Sequence, residues 1–154
     1  MSDPNATQLV TTADFVDDAW RGAAVAESDD VLLGTTLNAA YEVERVLGEG
    51  GMGRVYLARH TRIAQKRVAV KVLHARFAGD AQVLARFQRE AEAGASVSHP
   101  NVMAVLDVDR TAHGLPYLVC EYLEGIDFGD YLKKVGRLPG PLAVHIARQL
   151  CRGL

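Results

Sequence analysis

The chain has 154 residues, and hydrophobic residues make up 49% of them, which is enough for one modest packed domain. The formal net charge of −2 divides into −6 for residues 1–34 and +4 for residues 35–154, and this weak positive charge gives no support for a nucleic-acid-binding surface. No apolar run reaches the ~18 residues of a membrane-spanning helix, and no export leader is present, so we expect a cytoplasmic chain without a membrane segment.

The first part of the chain is predicted to be an extension. Residues 1–38 are acidic at their start, mixed in pattern and poor in large apolar side chains. Such a composition favours a flexible leader, and its function is unknown.

Three strands are predicted next, over Tyr41–Leu47, Arg54–Arg59 and Arg67–Leu73. Apolar and polar residues alternate in these segments, and short turns separate them, so they form an antiparallel meander. Between the first two strands, Gly48, Gly50 and Gly53 have the G-x-G-x-x-G spacing of nucleotide sites.

That spacing occurs in two unrelated kinds of site. In dinucleotide-binding proteins the glycines open a helix, and an acidic residue about 20 positions later binds the ribose. Here a strand follows the glycines, and the next strand contains Lys71. Glycines allow the backbone to approach phosphates closely, and a lysine supplies positive charge, so the pattern favours a phosphate-binding flap.

A helix is predicted over residues 81–97, with Asp80 as its N-cap and Pro100 preventing its continuation. Glu90 lies in the middle of its apolar face, where an unpaired carboxylate would be costly. We therefore predict an ion pair between Glu90 and Lys71. The apolar face comprises Val83, Phe87, Gly94 and Val97.

The remaining elements complete a five-stranded sheet with one helix, followed by further helices. Ser98–Asn101 is predicted to be a turn in which His99 is a structural hydrogen-bonding residue. Two more strands are predicted over residues 102–109 and 115–121, then a short helix over residues 128–135 and a last helix starting near Pro139.

These motifs resemble the start of a protein kinase domain, most closely that of the bacterial serine/threonine kinases of eukaryotic type. The family's G-x-G-x-x-G-x-V loop matches Gly48–Val55, and its V-A-I-K strand matches Val68–Lys71 with Val70 in place of isoleucine. The resemblance implies an α+β fold, with a kinase small lobe at residues 39–123 and the start of the helical large lobe at residues 124–154.

The resemblance also implies an ATP site. Lys71 and Glu90 would be the catalytic pair that holds the α- and β-phosphates. Cys120 would be the gatekeeper, and Glu121 and Leu123 would bind adenine through backbone groups. Asp127, and less surely Asp130, would reach the ribose. The implied ATP-binding residues are Leu47, Gly48, Glu49, Gly50, Gly51, Met52, Gly53, Arg54, Val55, Ala69, Lys71, Cys120, Glu121, Leu123 and Asp127.

Residues 127–129 spell D-F-G, the motif whose aspartate binds magnesium in kinases, but they follow the hinge directly and precede any catalytic loop. We interpret Asp127 as the start of a helix and assign no metal ligand. Mg²⁺ is expected for a full kinase domain, but its protein ligands are not in this sequence.

The implied function is the ATP-binding part of a kinase that phosphorylates serine and threonine in proteins. The H-R-D loop, a correctly placed D-F-G and the A-P-E motif do not occur in these residues, so the chain as given is predicted to be inactive and to self-associate through a bare lobe interface. The alternative is an inactive nucleotide-binding, regulatory or docking module, and the adjoining coding sequence would distinguish a fragment from such a module. An NAD site is disfavoured by the strand after the glycines.

Overall fold

A computed structural model describes residues 31–154 of the chain. These residues form an antiparallel sheet of six strands, in the order β1-β2-β3-β4-β6-β5, three α-helices and a short 3-10 helix over Ala75–Phe77. The strands are β1 (Thr36–Leu37), β2 (Tyr41–Glu49), β3 (Gly53–His60), β4 (Arg67–Leu73), β5 (Val105–Arg110) and β6 (Pro116–Glu121). The helices are α1 (Ala81–Ser96), α2 (Phe128–Val135) and α3 (Gly140–Gly153).

The sheet is strongly curled. The Tyr41 hydroxyl on β2 donates a hydrogen bond of 3.1 Å to Asp107 Oδ2 on β5, although three strands separate β2 from β5 in the sheet order. Neighbouring strands lie about 4.8 Å apart, so a flat sheet would hold these two strands roughly 19 Å from each other. The curl therefore creates one enclosed face and one open face.

The enclosed face is an apolar core. Val68 and Val70 on β4 and Tyr117 and Val119 on β6 are completely buried there. The segment before β2 closes this core, since Leu37 is buried and Leu32 packs against it.

The open face of the sheet is covered in part by α1. Phe87, Ala91 and Gly94 of α1 are buried, and Phe87 and Ala91 pack with Leu73 and Leu118 of the sheet. The spacing of these three helical residues matches the 3.6-residue period, so one stripe of the helix contacts the sheet.

The helix α3 packs against the turn that follows α1. Gln149 is buried, and its Oε1 accepts a hydrogen bond of 3.0 Å from Asn101 Nδ2. A Cβ at Gly153 would lie 3.1 Å from the Asn101 carbonyl oxygen, so α3 and the turn are in close contact at this point. His99 Nδ1 accepts from the Asn101 amide at 3.1 Å, which confirms the predicted structural role of this histidine.

The small-lobe architecture agrees with the sequence prediction, but the strand count and some boundaries differ. The sheet has a sixth strand, β1, which was assigned to the N-terminal extension and which pairs with β2 through Leu37 and Tyr41. Two residues are too short to give a periodic signal. Residues 1–30 of the predicted extension lie outside the described residues.

Two details of the predicted elements were wrong. The fourth predicted strand, which is β5 of the structure, begins at Val105 rather than at residue 102. On α1, Val97 is the C-cap and is 43% exposed, while Ala91 takes a buried place on the apolar face. The helical period ends where the backbone leaves the helix, and composition alone does not fix that residue.

Within residues 31–154, no helix is long and apolar enough to cross a membrane.

Candidate nucleotide site

The glycine-rich loop, defined here as Gly48–Gly53, is a tight connection between β2 and β3. The Gly50 amide donates to the Gly53 carbonyl at 2.8 Å, which closes the turn. At its base, Glu49 and Arg54 form an ion pair of 2.7 Å between paired positions of the two strands. In the structure these two residues bind each other, and their predicted contacts with ATP stay predictions.

Gly53 is the glycine for which the structure gives the strongest steric reason. It is buried opposite Leu73, and a Cβ built on it would lie 2.4 Å from the Val72 carbonyl oxygen. Any larger residue would have to push β3 away from β4. Gly53 is therefore explained by the packing of β3 against β4 at the end of the loop.

The predicted ion pair is present. Lys71 Nζ on β4 lies 2.6 Å from Glu90 Oε1 on α1. The two side chains are only 14% and 18% exposed, so the pair is largely removed from water. Lys71 Nζ also lies 6.0 Å from the centre of the Phe87 ring.

The strand register places several predicted site residues on the same face of the sheet. Val55 pairs with Lys71, and Ala69 pairs with Cys120. Directly opposed residues, and residues two positions apart on one strand, project from the same face. This is the open face, on which α1 brings Glu90 to Lys71. Leu47 falls in an irregularity of β2, between the pairs of Val46 and Gly48.

Cys120 is a buried thiol beside this ion pair. Burial raises its pKa to about 12, and the nearby Glu90 carboxylate adds to the rise while Lys71 opposes it. A thiol with so high a pKa stays protonated at neutral pH and is a poor nucleophile. Cys120 is therefore an uncharged, buried side chain on this face, and its role as gatekeeper stays a prediction. Both cysteines are free, with Cys120 buried and Cys151 exposed.

The segment after β6 is anchored by Glu121. Its amide donates to the Ala104 carbonyl at 3.0 Å, and its Oε1 accepts from the Ala104 amide at 2.8 Å. This side chain fixes the backbone at the position predicted to be the hinge. Backbone contacts of Glu121 and Leu123 with adenine stay a prediction.

Asp127 is the N-cap of α2. Its Oδ1 accepts from the amides of Gly129 and Asp130 at 2.7 and 3.2 Å. This agrees with the interpretation of the D-F-G letters as a helix start. Asp130 forms an ion pair of 2.6 Å with Lys133, and the ribose contacts proposed for the two aspartates stay predictions. Within residues 31–154, no group of three or more His, Cys, Asp or Glu side chains is arranged to hold a metal ion.

Two residues near the loop were not predicted. His74 and Arg76 follow β4 directly, and both side chains contact the glycine-rich loop. The strand that contains Lys71 ends at Leu73, so His74 could have been considered as a site residue from its position next to this strand. Nothing in the sequence, however, indicates which way these side chains turn.

A surface cleft of about 580 Å³ is lined by Arg59, Gln65, Arg67, Tyr122 and Glu124. It contains none of the predicted ATP-binding residues. Arg59 and Arg67 already contact Glu44 at 3.7 and 4.0 Å. The lining of the cleft thus does not overlap with the predicted ATP-binding residues, although Tyr122 and Glu124 lie beside Leu123 in the sequence.

Residues 41–154 match the family model for the protein kinase domain. The chain belongs to the protein kinase family. It is 40% identical over 121 residues to the serine/threonine-protein kinase PknB of Mycobacterium leprae, covering 77% of this chain and 19% of that protein. It is 35% identical over 120 residues to the serine/threonine-protein kinase PrkC of Bacillus subtilis, covering 78% of this chain and 18% of that protein.

A solved structure gives the same result. The crystal structure of the Mycobacterium tuberculosis PknI kinase domain has a TM-score of 0.65 to this chain at 30% sequence identity, covering 85% of this chain and 51% of that one. The chain thus spans about a fifth of these two curated kinases and about half of the solved kinase domain. The resemblance to bacterial serine/threonine kinases is confirmed.

Proposed function

We propose that this chain is the ATP-binding portion of a serine/threonine protein kinase. The observation that supports this most is the ion pair between Lys71 and Glu90, on the sheet face that also presents Val55 and Ala69. A carboxylate that holds a lysine side chain in one conformation places the ammonium group of the lysine for contact with phosphate oxygens. The lysine then loses less conformational freedom when phosphate binds.

The charge and the apolar surface of the site residues suit a nucleoside triphosphate. Gly53 keeps the loop backbone close to β4, where a side chain would not fit. Lys71 supplies the positive charge, and Val55, Ala69 and Cys120 supply an apolar surface of the kind that a purine ring needs. When bound, ATP would supply the γ-phosphoryl group, and these residues would orient the other end of the molecule.

In the full kinase, we infer that the γ-phosphoryl group passes to serine or threonine hydroxyls of proteins, with Mg²⁺ as the metal. The 154-residue chain has no H-R-D loop, so we expect it to bind ATP without transferring phosphate. Its protein substrate and its cytoplasmic location stay predictions.

The test is a titration of the chain with a fluorescent ATP analogue. Lys71→Met should raise Kd about tenfold or more, since a hydrogen bond to a charged group contributes about 1.5–3 kcal/mol. Arg67→Met is the matched control, because it removes a cation from the same strand. Arg67 lines the surface cleft and is not one of the predicted ATP-binding residues. Equal affinity of the Lys71→Met variant and the unmodified chain would remove Lys71 from the site.

A second candidate is a binding or regulatory module that self-associates or docks onto another kinase. Exposed apolar residues near the end of the chain favour it, with Ile126 60% and Val144 61% exposed. Light scattering of the unmodified chain tests this, and a single monomer mass over a wide concentration range would contradict self-association.

A further inference from the structure

The tip of the glycine-rich loop is held from one side by the segment that follows β4. Three successive loop carbonyls, those of Gly50, Gly51 and Met52, accept hydrogen bonds from His74 and Arg76. His74 Nε2 lies 3.0 Å from Gly50 O, Arg76 Nη2 donates to Gly51 O at 2.9 Å, and the His74 amide donates to Met52 O at 3.0 Å.

These contacts are supported by their surroundings. His74 Nε2 also lies 3.6 Å from Glu49 Oε1, which is itself paired with Arg54. The Arg76 guanidinium carbon lies 4.9 Å from the centre of the Phe77 ring. Met52 and Phe77 both pack against the apolar cluster formed by the sheet and α1. The loop and the segment after β4 therefore contact the same cluster.

The contacts decide the direction of the loop's peptide groups. No peptide bond among residues 31–154 is cis, and in a trans peptide the C=O and the next N–H point in opposite directions. With the carbonyls of residues 50–52 turned toward His74 and Arg76, the amides of residues 51–53 point away from them. Anions bind backbone N–H groups, so this direction determines what the loop offers to a phosphate.

We propose that His74 and Arg76 are positioning residues for the glycine-rich loop, which hold its tip carbonyls so that its amides are presented to the phosphates of a nucleotide. The inference rests on the proposed ATP site for its consequence, but the contacts themselves do not require a ligand. A loop held in this way loses less conformational freedom on binding, so bound nucleotide should leave more slowly.

The first measurement is ¹⁵N relaxation of the unliganded chain. The order parameters of the loop amides should be near the ~0.85 of rigid backbone in the unmodified chain and fall to about 0.6 or lower in a His74→Leu/Arg76→Ala variant. A variant that keeps N–H donors, His74→Gln/Arg76→Lys, should restore most of the order. Loss of order common to β3 and β4 would show a general structural effect and overturn the proposal, as would unchanged loop order.

The second measurement is the release of a fluorescent ATP analogue. We expect about tenfold faster dissociation from His74→Leu/Arg76→Ala, since each lost hydrogen bond corresponds to a factor of a few. An unchanged dissociation rate with a loosened loop would overturn the proposal. If the unmodified chain does not bind the analogue, the proposed ATP site fails, and the relaxation result alone decides the role of the two residues. Should the double variant fail to fold, the exposed Arg76→Ala change provides the same two measurements.

Discussion

The two faces of the curled sheet differ sharply in what they bury. The enclosed face is apolar throughout its centre, with Val68, Val70 and Val119 fully buried. The open face contains an ammonium group, a carboxylate and a thiol within its packed region, at Lys71, Glu90 and Cys120. One strand, β4, supplies both faces through alternate residues.

This difference shows how a small sheet can combine stability with a charged site. Burial of apolar surface on one face stabilises the strands by roughly 25 cal/mol per Å², with few polar groups to satisfy. The other face can then hold a partly buried ion pair, whose desolvation opposes its Coulombic attraction and which by itself adds little stability. We therefore expect mutations on the two faces to separate stability from binding.

The largest expected effect is at Tyr117 on the enclosed face. Its side chain is completely buried, so Tyr117→Ala leaves a cavity in the core and should lower the free energy of unfolding by about 3–5 kcal/mol. Urea titration followed by circular dichroism measures this. Such a loss is a large fraction of the roughly 5–15 kcal/mol that stabilises a typical domain.

Tyr117→Phe is the matched variant. Among the described residues, the Tyr117 hydroxyl is the buried side-chain polar atom that has no hydrogen-bond partner. Removing an unsatisfied buried hydroxyl should leave stability unchanged or raise it by about 1 kcal/mol. Destabilisation of the Phe variant would show that this hydroxyl has a bonding role that the structure does not include.

The next effect concerns the open face. Glu90→Ala leaves Lys71 as a largely buried, unpaired cation and should lower the free energy of unfolding by about 2–4 kcal/mol. The double change Lys71→Met/Glu90→Leu should cost less than the single change, because no charge remains without a partner. A double variant as unstable as the sum of both single changes would mean that the two side chains do not interact energetically.

How well each feature could be predicted from the sequence depends on whether its signal is local or arises from tertiary contacts. The pairing of Lys71 with Glu90 was predictable, since a period of two placed the lysine on one strand face and a period of 3.6 placed the glutamate on an apolar helix stripe. The contacts of His74 and Arg76 were not, because they join residues about 25 positions apart in irregular segments. Likewise β1 depends on pairing with β2, which no local pattern reports.

Alkaline pH should lower the free energy of unfolding, in part because the thiol of Cys120 on the open face is buried. The pKa of Cys120 is raised from an ordinary 9.0 to about 12, and that of Tyr117 from 10.0 to about 12, both chiefly by burial. The unfolded chain therefore releases these protons first, and stability that is complete below pH 9 should fall as pH rises from 9 toward 12.

Cys120→Ala sharpens this prediction. The variant removes one of the groups whose pKa is raised by burial, so its free energy of unfolding should fall less steeply between pH 9 and 12 than that of the unmodified chain. Cys151 is exposed, and Cys151→Ala should leave the slope unchanged. Equal slopes for both variants would place Cys120 in an environment more open to water than the structure shows.

The smallest expected effect compares two helix caps. Asp80 and Asp127 each accept hydrogen bonds from two amides at the start of α1 and α2. Replacing either by alanine removes a similar cap, worth about 1 kcal/mol. The helix α1 packs against the sheet through Phe87, whereas α2 has no buried residue, so Asp80→Ala should lower the global free energy of unfolding and Asp127→Ala should increase hydrogen exchange only within α2. A global loss from Asp127→Ala would mean that α2 unfolds together with the sheet, and that the helices after β6 contribute to the stability of the sheet.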